Sequence, residues 1–128
     1  MRSDFSPNIP VYIQIIEYTK IEITSRRWSM GSKIPTVREL ATALQVNQNT
    51  IQRAFQELEK EKIIITRRGM GRYVTTEEER IKELLNQMIT ELIDNFINNM
   101  KNLNFNEETI LLSLQSALYV DNFKSLNK

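Results

Sequence analysis

The sequence predicts a mainly α-helical chain with one small β-hairpin, divided into a front domain over residues 1–76 and a helical segment over residues 77–128. Three observations carry that division. Apolar residues recur at helical spacing through most of the chain. Two β-rich runs, residues 63–66 and 72–75, flank a loop that holds two glycines. Charge is split between the halves: residues 1–76 hold 12 Lys and Arg against 7 Asp and Glu, net +5, and residues 77–128 hold 5 against 9, net −4, which together give the +1 of the whole chain. A basic half suits a surface that meets phosphates, and an acidic half striped with apolar residues suits one that meets protein and solvent.

The opening residues 1–9 are polar and carry Pro7, so an extended arm is expected. Pro10 is tolerated in a first helical turn, where its missing N–H costs nothing. Tyr12, Ile15, Ile16, Thr19 and Ile23 then fall at helical spacing and predict a supporting helix over about residues 10–28. Met30, Gly31 and Ser32 break it, and Lys33 with Ile34 predict a very short strand, since a residue before proline is biased to extended geometry. Thr36, Val37, Arg38 and Glu39 match a capping box that opens a helix with Val37, Leu40, Ala41 and Leu44 on its apolar face. Gln45 and Val46 form the turn, with Val46 pointing inward. Asn47 then caps a helix running to about residue 60, packed through Ile51, Ala54, Phe55 and Leu58.

The hairpin follows, its loop reading Arg67, Arg68, Gly69, Met70, Gly71. Thr76 and Glu79 suggest a second capping box, opening a long helix with Glu77, Glu78 and Glu79 where its dipole favours negative charge. Ile81, Leu84, Leu85, Met88, Leu92, Phe96 and Met100 form one stripe of that helix, widened by Ile89, Ile93 and Ile97. Such a face is too broad for a lone exposed helix and calls for a cover, most simply a second copy of the chain. Residues 102–106 are a break, with Asn106 or Asn104 as the next cap. A shorter helix over about residues 107–120 carries Ile110, Leu111, Leu114, Ala117 and Leu118, and the tail from Asp121 is expected to fray.

Composition excludes much chemistry. With 41% apolar and 26% charged residues the chain reads as an ordinary globular protein, so disorder is not expected. It has no Cys and no His, which removes disulfides, thiolate nucleophiles, zinc–thiolate sites and the commonest general base and metal ligand. No nucleophile, base and orienting group cluster at readable spacing, so neither enzyme activity nor a metal or cofactor is expected. No apolar run reaches the roughly 18 residues of a membrane span, and the N-terminus lacks a signal-like apolar stretch, so a cytoplasmic protein without a membrane partner is expected.

Helix, tight turn, helix with a polar leading edge, then hairpin is the order of a winged helix-turn-helix, a device for reading duplex DNA. Within it Arg38 is expected to reach a phosphate or a guanine edge, although taken alone it reads more readily as a solvated arginine paired with a neighbouring carboxylate. Asn47, Gln48, Asn49, Thr50, Gln52 and Arg53 form the leading edge of the second helix. Asn and Gln can bond adenine, Thr can meet a phosphate or a thymine methyl, and Arg53 can reach phosphate or guanine. A solvated polar face usually mixes Lys with Glu; this one is rich in amides. Arg67, Arg68 and Gly69 could place a wing tip in a minor groove, or Gly69 and Gly71 could simply serve a hairpin loop that needs positive φ. Ile81, Leu84, Leu85, Met88, Leu92, Phe96, Leu111, Leu114 and Leu118 are the expected dimerisation residues. A small-molecule effector pocket between the rear helices is the lesser alternative, and no polar residues converge there. A winged helix kept only for protein–protein contact is the rival to DNA binding.

The residues also carry a resemblance. Ile9, Pro10, Val11, Tyr12, Gln14 and Ile15, the run from Lys33 through Ala41, the run from Val46 through Glu59, and the wing from Thr66 through Gly71 together resemble the GntR family of bacterial transcription regulators, and within it the short YtrA-like subfamily. The match covers roughly residues 9–75. The resemblance implies a homodimeric repressor on an inverted repeat, with operator contacts at Arg38, Asn47, Gln48, Asn49, Thr50, Gln52, Arg68 and Gly69. It further implies dimerisation through the rear helices and targets that often include genes for ABC-type transporters. Three residues depart from the family pattern: Gln45 replaces the usual Gly of the turn, Lys62 replaces a Gly after the second helix, and Gln48 stands where many members have Arg.

Overall fold

The computed structural model describes residues 5–126, with side chains described as far as residue 120. Its elements run α1 (Val11–Thr24), α2 (Val37–Leu44), α3 (Gln48–Lys60), β1 (Ile64–Arg67), β2 (Gly71–Val74), α4 (Glu78–Asn102) and α5 (Glu107–Leu126). The chain forms two compact units, one ending at Asn86 and the next beginning at Gln87. That division falls inside α4 and ten residues later than the composition suggested.

Of the expected arm, residues 1–4 lie outside the described residues. The rest turns rather than extends, because the Gln14 side chain clamps it: its Oε1 accepts from the Ser6 N–H at 2.8 Å and its Nε2 donates to the carbonyls of Ser6 and Ile9, both at 2.8 Å. Helix α1 ends at Thr24 instead of continuing to about residue 28. Arg26 turns left-handed (φ 67) and the Trp28 N–H reaches back to the Glu22 carbonyl at 2.9 Å. This reversal carries the Trp28 ring onto Tyr18, with centroids 6.0 Å apart, so an apolar ring is packed without a longer helix.

The front core joins Ile15 and Ile23 of α1 to Leu40 and Leu44 of α2, Ile51, Phe55 and Leu58 of α3, and Ile64 and Val74 of the hairpin, all buried. Thr19, also buried, satisfies its hydroxyl on the Ile15 carbonyl at 2.8 Å. The hairpin is antiparallel, pairing Ile64 with Val74 and Arg67 with Gly71. The short strand expected at Lys33 is present as a bridge to Tyr73 on the other edge of β2, fixed by Ile34 N–H to Arg72 carbonyl at 3.0 Å and Val74 N–H to Ser32 carbonyl at 2.9 Å.

Helix α4 begins one residue later than the expected Thr76 capping box allows. Thr75 is still held in the sheet, its N–H on the Ile63 carbonyl at 3.0 Å, and its own hydroxyl accepts from the Glu77 N–H at 3.1 Å. The first turns of α4 belong to the front unit. Arg80 Nε donates to the Glu61 carbonyl at the end of α3 at 2.8 Å, and Ile81 and Leu84 are buried. These two, expected as dimerisation residues, are therefore spent inside the chain, because the ion-paired Arg80 docks the start of α4 against α3.

In the rear unit Asn106 caps α5 by accepting from the Thr109 N–H at 2.9 Å, and α5 continues to Leu126 rather than fraying from Asp121. No Gly or Pro lies after Asn106 to stop it. Among the described side chains of residues 87–120, Ile110 alone is buried. An apolar groove of about 360 Å³ opens between Ile93, Phe96 and Ile97 of α4 and Ile110, Leu111 and Leu114 of α5. No described helix is long and apolar enough to cross a membrane.

Candidate nucleic-acid interface

The reading pair is built by local hydrogen bonds. Thr36 Oγ1 accepts from the Glu39 N–H at 3.0 Å while Glu39 accepts from the Thr36 N–H at 3.0 Å, so both ends of the capping box close. That N–H, then the Thr36 hydroxyl and nearby Lys33, hold the Glu39 carboxyl below the usual carboxylate range. Gln45 ends α2 in the left-handed region (φ 56, ψ 48), and the Val46 N–H returns to the Ala41 carbonyl at 3.0 Å. The turn thus has the geometry that glycine serves most easily, with a Cβ crowded against it. Asn47 caps α3, its Oδ1 accepting from the Asn49 N–H at 2.7 Å. Its oxygen is engaged with the helix, and its NH₂ is left to donate outward.

Beyond the cap, Gln48 and Asn49 are exposed on the first turn and Thr50 is half-buried. Arg53 is exposed yet placed: its guanidinium lies 3.6 Å from the centre of the Tyr12 ring. Val11, Tyr12, Asn49, Thr50 and Arg53 line a shallow cleft of about 280 Å³ at the foot of this edge. Gln52 is only half-exposed, and its Oε1 accepts from Arg72 Nη2 of β2 at 3.3 Å. Arg72 also donates from Nε to Glu59 at 2.6 Å and lies 5.4 Å from the Phe55 ring centre. The hairpin is consequently seated alongside α3 through Gln52 and Glu59. Tyr12 and Arg72 are site residues that sequence reasoning missed. Tyr12 reads in the pattern as one more apolar helix position, and Arg72 as one more basic strand residue.

At the hairpin tip Arg67 and Arg68 are exposed, with the Arg67 guanidinium 4.7 Å from the Tyr73 ring centre. Gly69 sits at φ +75 with open space where a Cβ would stand, so its glycine serves conformation and leaves the backbone uncovered. Gly71, at φ +111, has no such room: a Cβ would lie 2.8 Å from Cε of Lys33.

Electrostatics separate this surface from the rest of the front unit. The other described arginines are paired, Arg26 with Glu78, Arg27 with Glu22, Arg72 with Glu59 and Arg80 with Glu61, as is Lys20 with Glu61, whereas the exposed Lys33 and Lys62 make no ion pair among the described residues. Arg38 at the start of α2, Arg53 on α3, and Arg67 and Arg68 at the hairpin tip make no ion pair among the described residues. No group of three metal-ligating side chains occurs among the described residues.

Comparison with known proteins accounts for this layout. Residues 11–74 match the bacterial regulatory proteins of the gntR family. The chain is 33% identical over 116 residues to the HTH-type transcriptional regulator YhcF of Bacillus subtilis, covering 91% of this chain and 96% of that protein. It is 40% identical over 91 residues to the HTH-type transcriptional repressor YtrA of the same species, covering 64% and 70%. Among solved structures, a GntR family transcriptional regulator from Listeria monocytogenes superposes with a TM-score of 0.84 at 43% identity, covering 88% of this chain and 98% of that one. The DNA-binding domain of AraR in complex with operator ORE1 matches 52% of this chain and 82% of its own at 28% identity, with a TM-score of 0.51. These relatives are transcriptional regulators rather than enzymes. A winged helix-turn-helix with an unpaired basic face, matched to the family over its whole extent, places the chain in the GntR family of bacterial transcription regulators.

Proposed function

We propose that the chain is a homodimeric repressor that binds an inverted-repeat operator in duplex DNA. The observation that carries the DNA contact is the set of arginines without carboxylate partners, Arg38, Arg53, Arg67 and Arg68, around the exposed amides Gln48 and Asn49. On a solvated surface such cations gain by pairing with neighbouring carboxylates; left unpaired around a polar helix edge, they suit a row of phosphates with base edges between. The repressor named YtrA and the operator-bound AraR domain support this assignment. Asn47 contributes through its NH₂, Thr50 and Arg53 at the cleft beside Tyr12, and Gly69 by letting the hairpin tip approach closely.

The rear unit supplies the second copy. Two helices with one buried side chain between them cannot offset the backbone entropy of ordering roughly 40 residues, at about 1 kcal/mol or more each. Leu92, Leu111, Leu114 and Leu118 are exposed and Met88 and Phe96 half-buried, a surface suited to an identical partner; Leu85, also exposed, lies just before it in the sequence, in the front unit. Two α3 helices would then enter successive major grooves about 34 Å apart and repress by excluding polymerase.

The test is selection from a random duplex pool followed by gel shift at physiological salt. An inverted repeat should be preferred over random duplex by about a thousand-fold or more; no preference ends the proposal. Arg38→Ala and Arg68→Ala should each weaken binding to all sequences and flatten the slope of log affinity against log salt by about one. A chain that uses this face only for protein contact would show neither effect.

A further inference from the structure

We propose that Arg72, a residue of the hairpin, decides which base Gln52 reads, by turning the Gln52 amide so that only its NH₂ faces the DNA. This rests on the operator-binding role given above. Glutamine carries an acceptor oxygen and a donor nitrogen that are nearly alike in shape, but the guanidinium offers donors only. The Gln52 atom 3.3 Å from Arg72 Nη2 must therefore be Oε1, which removes the usual ambiguity of the amide.

Arg72 is not free to swing away. Its Nε holds Glu59 at 2.6 Å, and its guanidinium rests on the ring of Phe55, which is fully buried. Gln52 stands one turn beyond Gln48 and Asn49, while Ile51, Ala54 and Phe55 are buried in the core, so it shares the polar side of α3 with Gln48 and Asn49. An amide with both groups free can bond adenine bidentately, by pairing a donor and an acceptor with N7 and N6. With the oxygen turned to the hairpin, that pairing is lost. What remains is a donor pair, and it complements base edges made of acceptors, guanine O6 and N7 or thymine O4. The bidentate adenine contact expected of Gln52 from sequence is replaced by an acceptor-edge contact, and the selectivity is set from the wing.

The experiment uses the full chain and a selected operator in which each base pair is replaced in turn by the other three. At one position the wild type should favour guanine or thymine over adenine and cytosine by about ten-fold, the worth of one good base contact. Gln52→Ala should level the bases at that position and leave the others unchanged. Arg72→Leu keeps an aliphatic side chain over Phe55 but donates nothing, so adenine should rise to near parity there. Gln52→Glu keeps an acceptor for Arg72 and removes both donors, so the preference should move to cytosine, whose N4 donates. If Arg72→Leu melts the hairpin, Gln52→Glu decides alone. Adenine favoured by the wild type at the Gln52-dependent position, guanine or thymine still favoured by Gln52→Glu, or no position altered by Gln52→Ala would each overturn the proposal. A wild-type chain that selects no sequence defeats the operator role and this assignment with it; a clear operator whose preferences ignore these substitutions defeats the assignment alone.

Discussion

The front and rear units are built from similar proportions of apolar residues and complete themselves differently. In the front unit α1, α2, α3 and the hairpin close over Ile51, Phe55 and Leu58, each 0% exposed, and the candidate DNA-reading face is polar and basic. In the rear unit the leftover surface is apolar: Leu92 is 70% exposed, Leu111 56% and Leu118 55%. One half lacks counter-charge and the other lacks cover. The difference follows from element count, since several elements can enclose a core and two helices cannot. The partner proposed for each half is thus argued from the chemistry left on its surface.

The largest effect is expected from Phe55→Ala. Removing a fully buried ring that also supports Arg72 should cost the front unit about 3–5 kcal/mol, measured by chemical denaturation. A loss below about 1 kcal/mol would mean that the front core is not closed. Next is the double substitution Leu92→Glu with Leu118→Glu. It should weaken self-association by about 3 kcal/mol or more, seen by sedimentation equilibrium, while the unfolding of the front unit is unchanged. Persistence of the dimer would move the interface elsewhere.

Smaller changes sharpen the same picture. Gln45 and Lys62 hold φ of 56 and 60, both where glycine is the easier residue. Lys62→Gly and Gln45→Gly should each raise front-unit stability, by up to about 1 kcal/mol in thermal unfolding, because relief of Cβ crowding exceeds the entropy glycine adds to the unfolded chain. A destabilisation would show that the side chains matter more than the backbone. The smallest effect is at Glu39. Its folded-state pKa lies below its unfolded value, so its stabilisation is present above the unfolded pKa and is lost as pH falls through the folded one. The stability difference between the wild type and Glu39→Gln should therefore shrink as pH falls through the carboxylate range, in denaturation series at stepped pH.

The features legible in sequence were those set by a few neighbouring residues. The Thr36–Glu39 box, the Asn47 cap and the Gly-bearing hairpin appear where local hydrogen bonding demands them, and the short strand at Lys33 where Pro35 biases the chain to extended geometry. The two departures from the family glycines, Gln45 and Lys62, fall on left-handed backbone. The misplaced boundaries, the end of α1 and the start of α4, were displaced by tertiary contacts: Trp28 folding back on Tyr18, and Thr75 held in the sheet.

A basic winged helix-turn-helix ahead of two apolar-striped helices follows from the residue order, because capping, periodicity and turn chemistry act within a turn or two of the chain. The division of the α4 stripe, with Ile81 and Leu84 buried in the front unit and Leu92 left outside, is a matter of packing. So are the placement of Arg53 on Tyr12 and the hold of Arg72 on the Gln52 oxygen, since these pairs join residues far apart in the chain. Periodicity records which side of a helix is apolar; which residue meets it, and with which atom, is settled by packing.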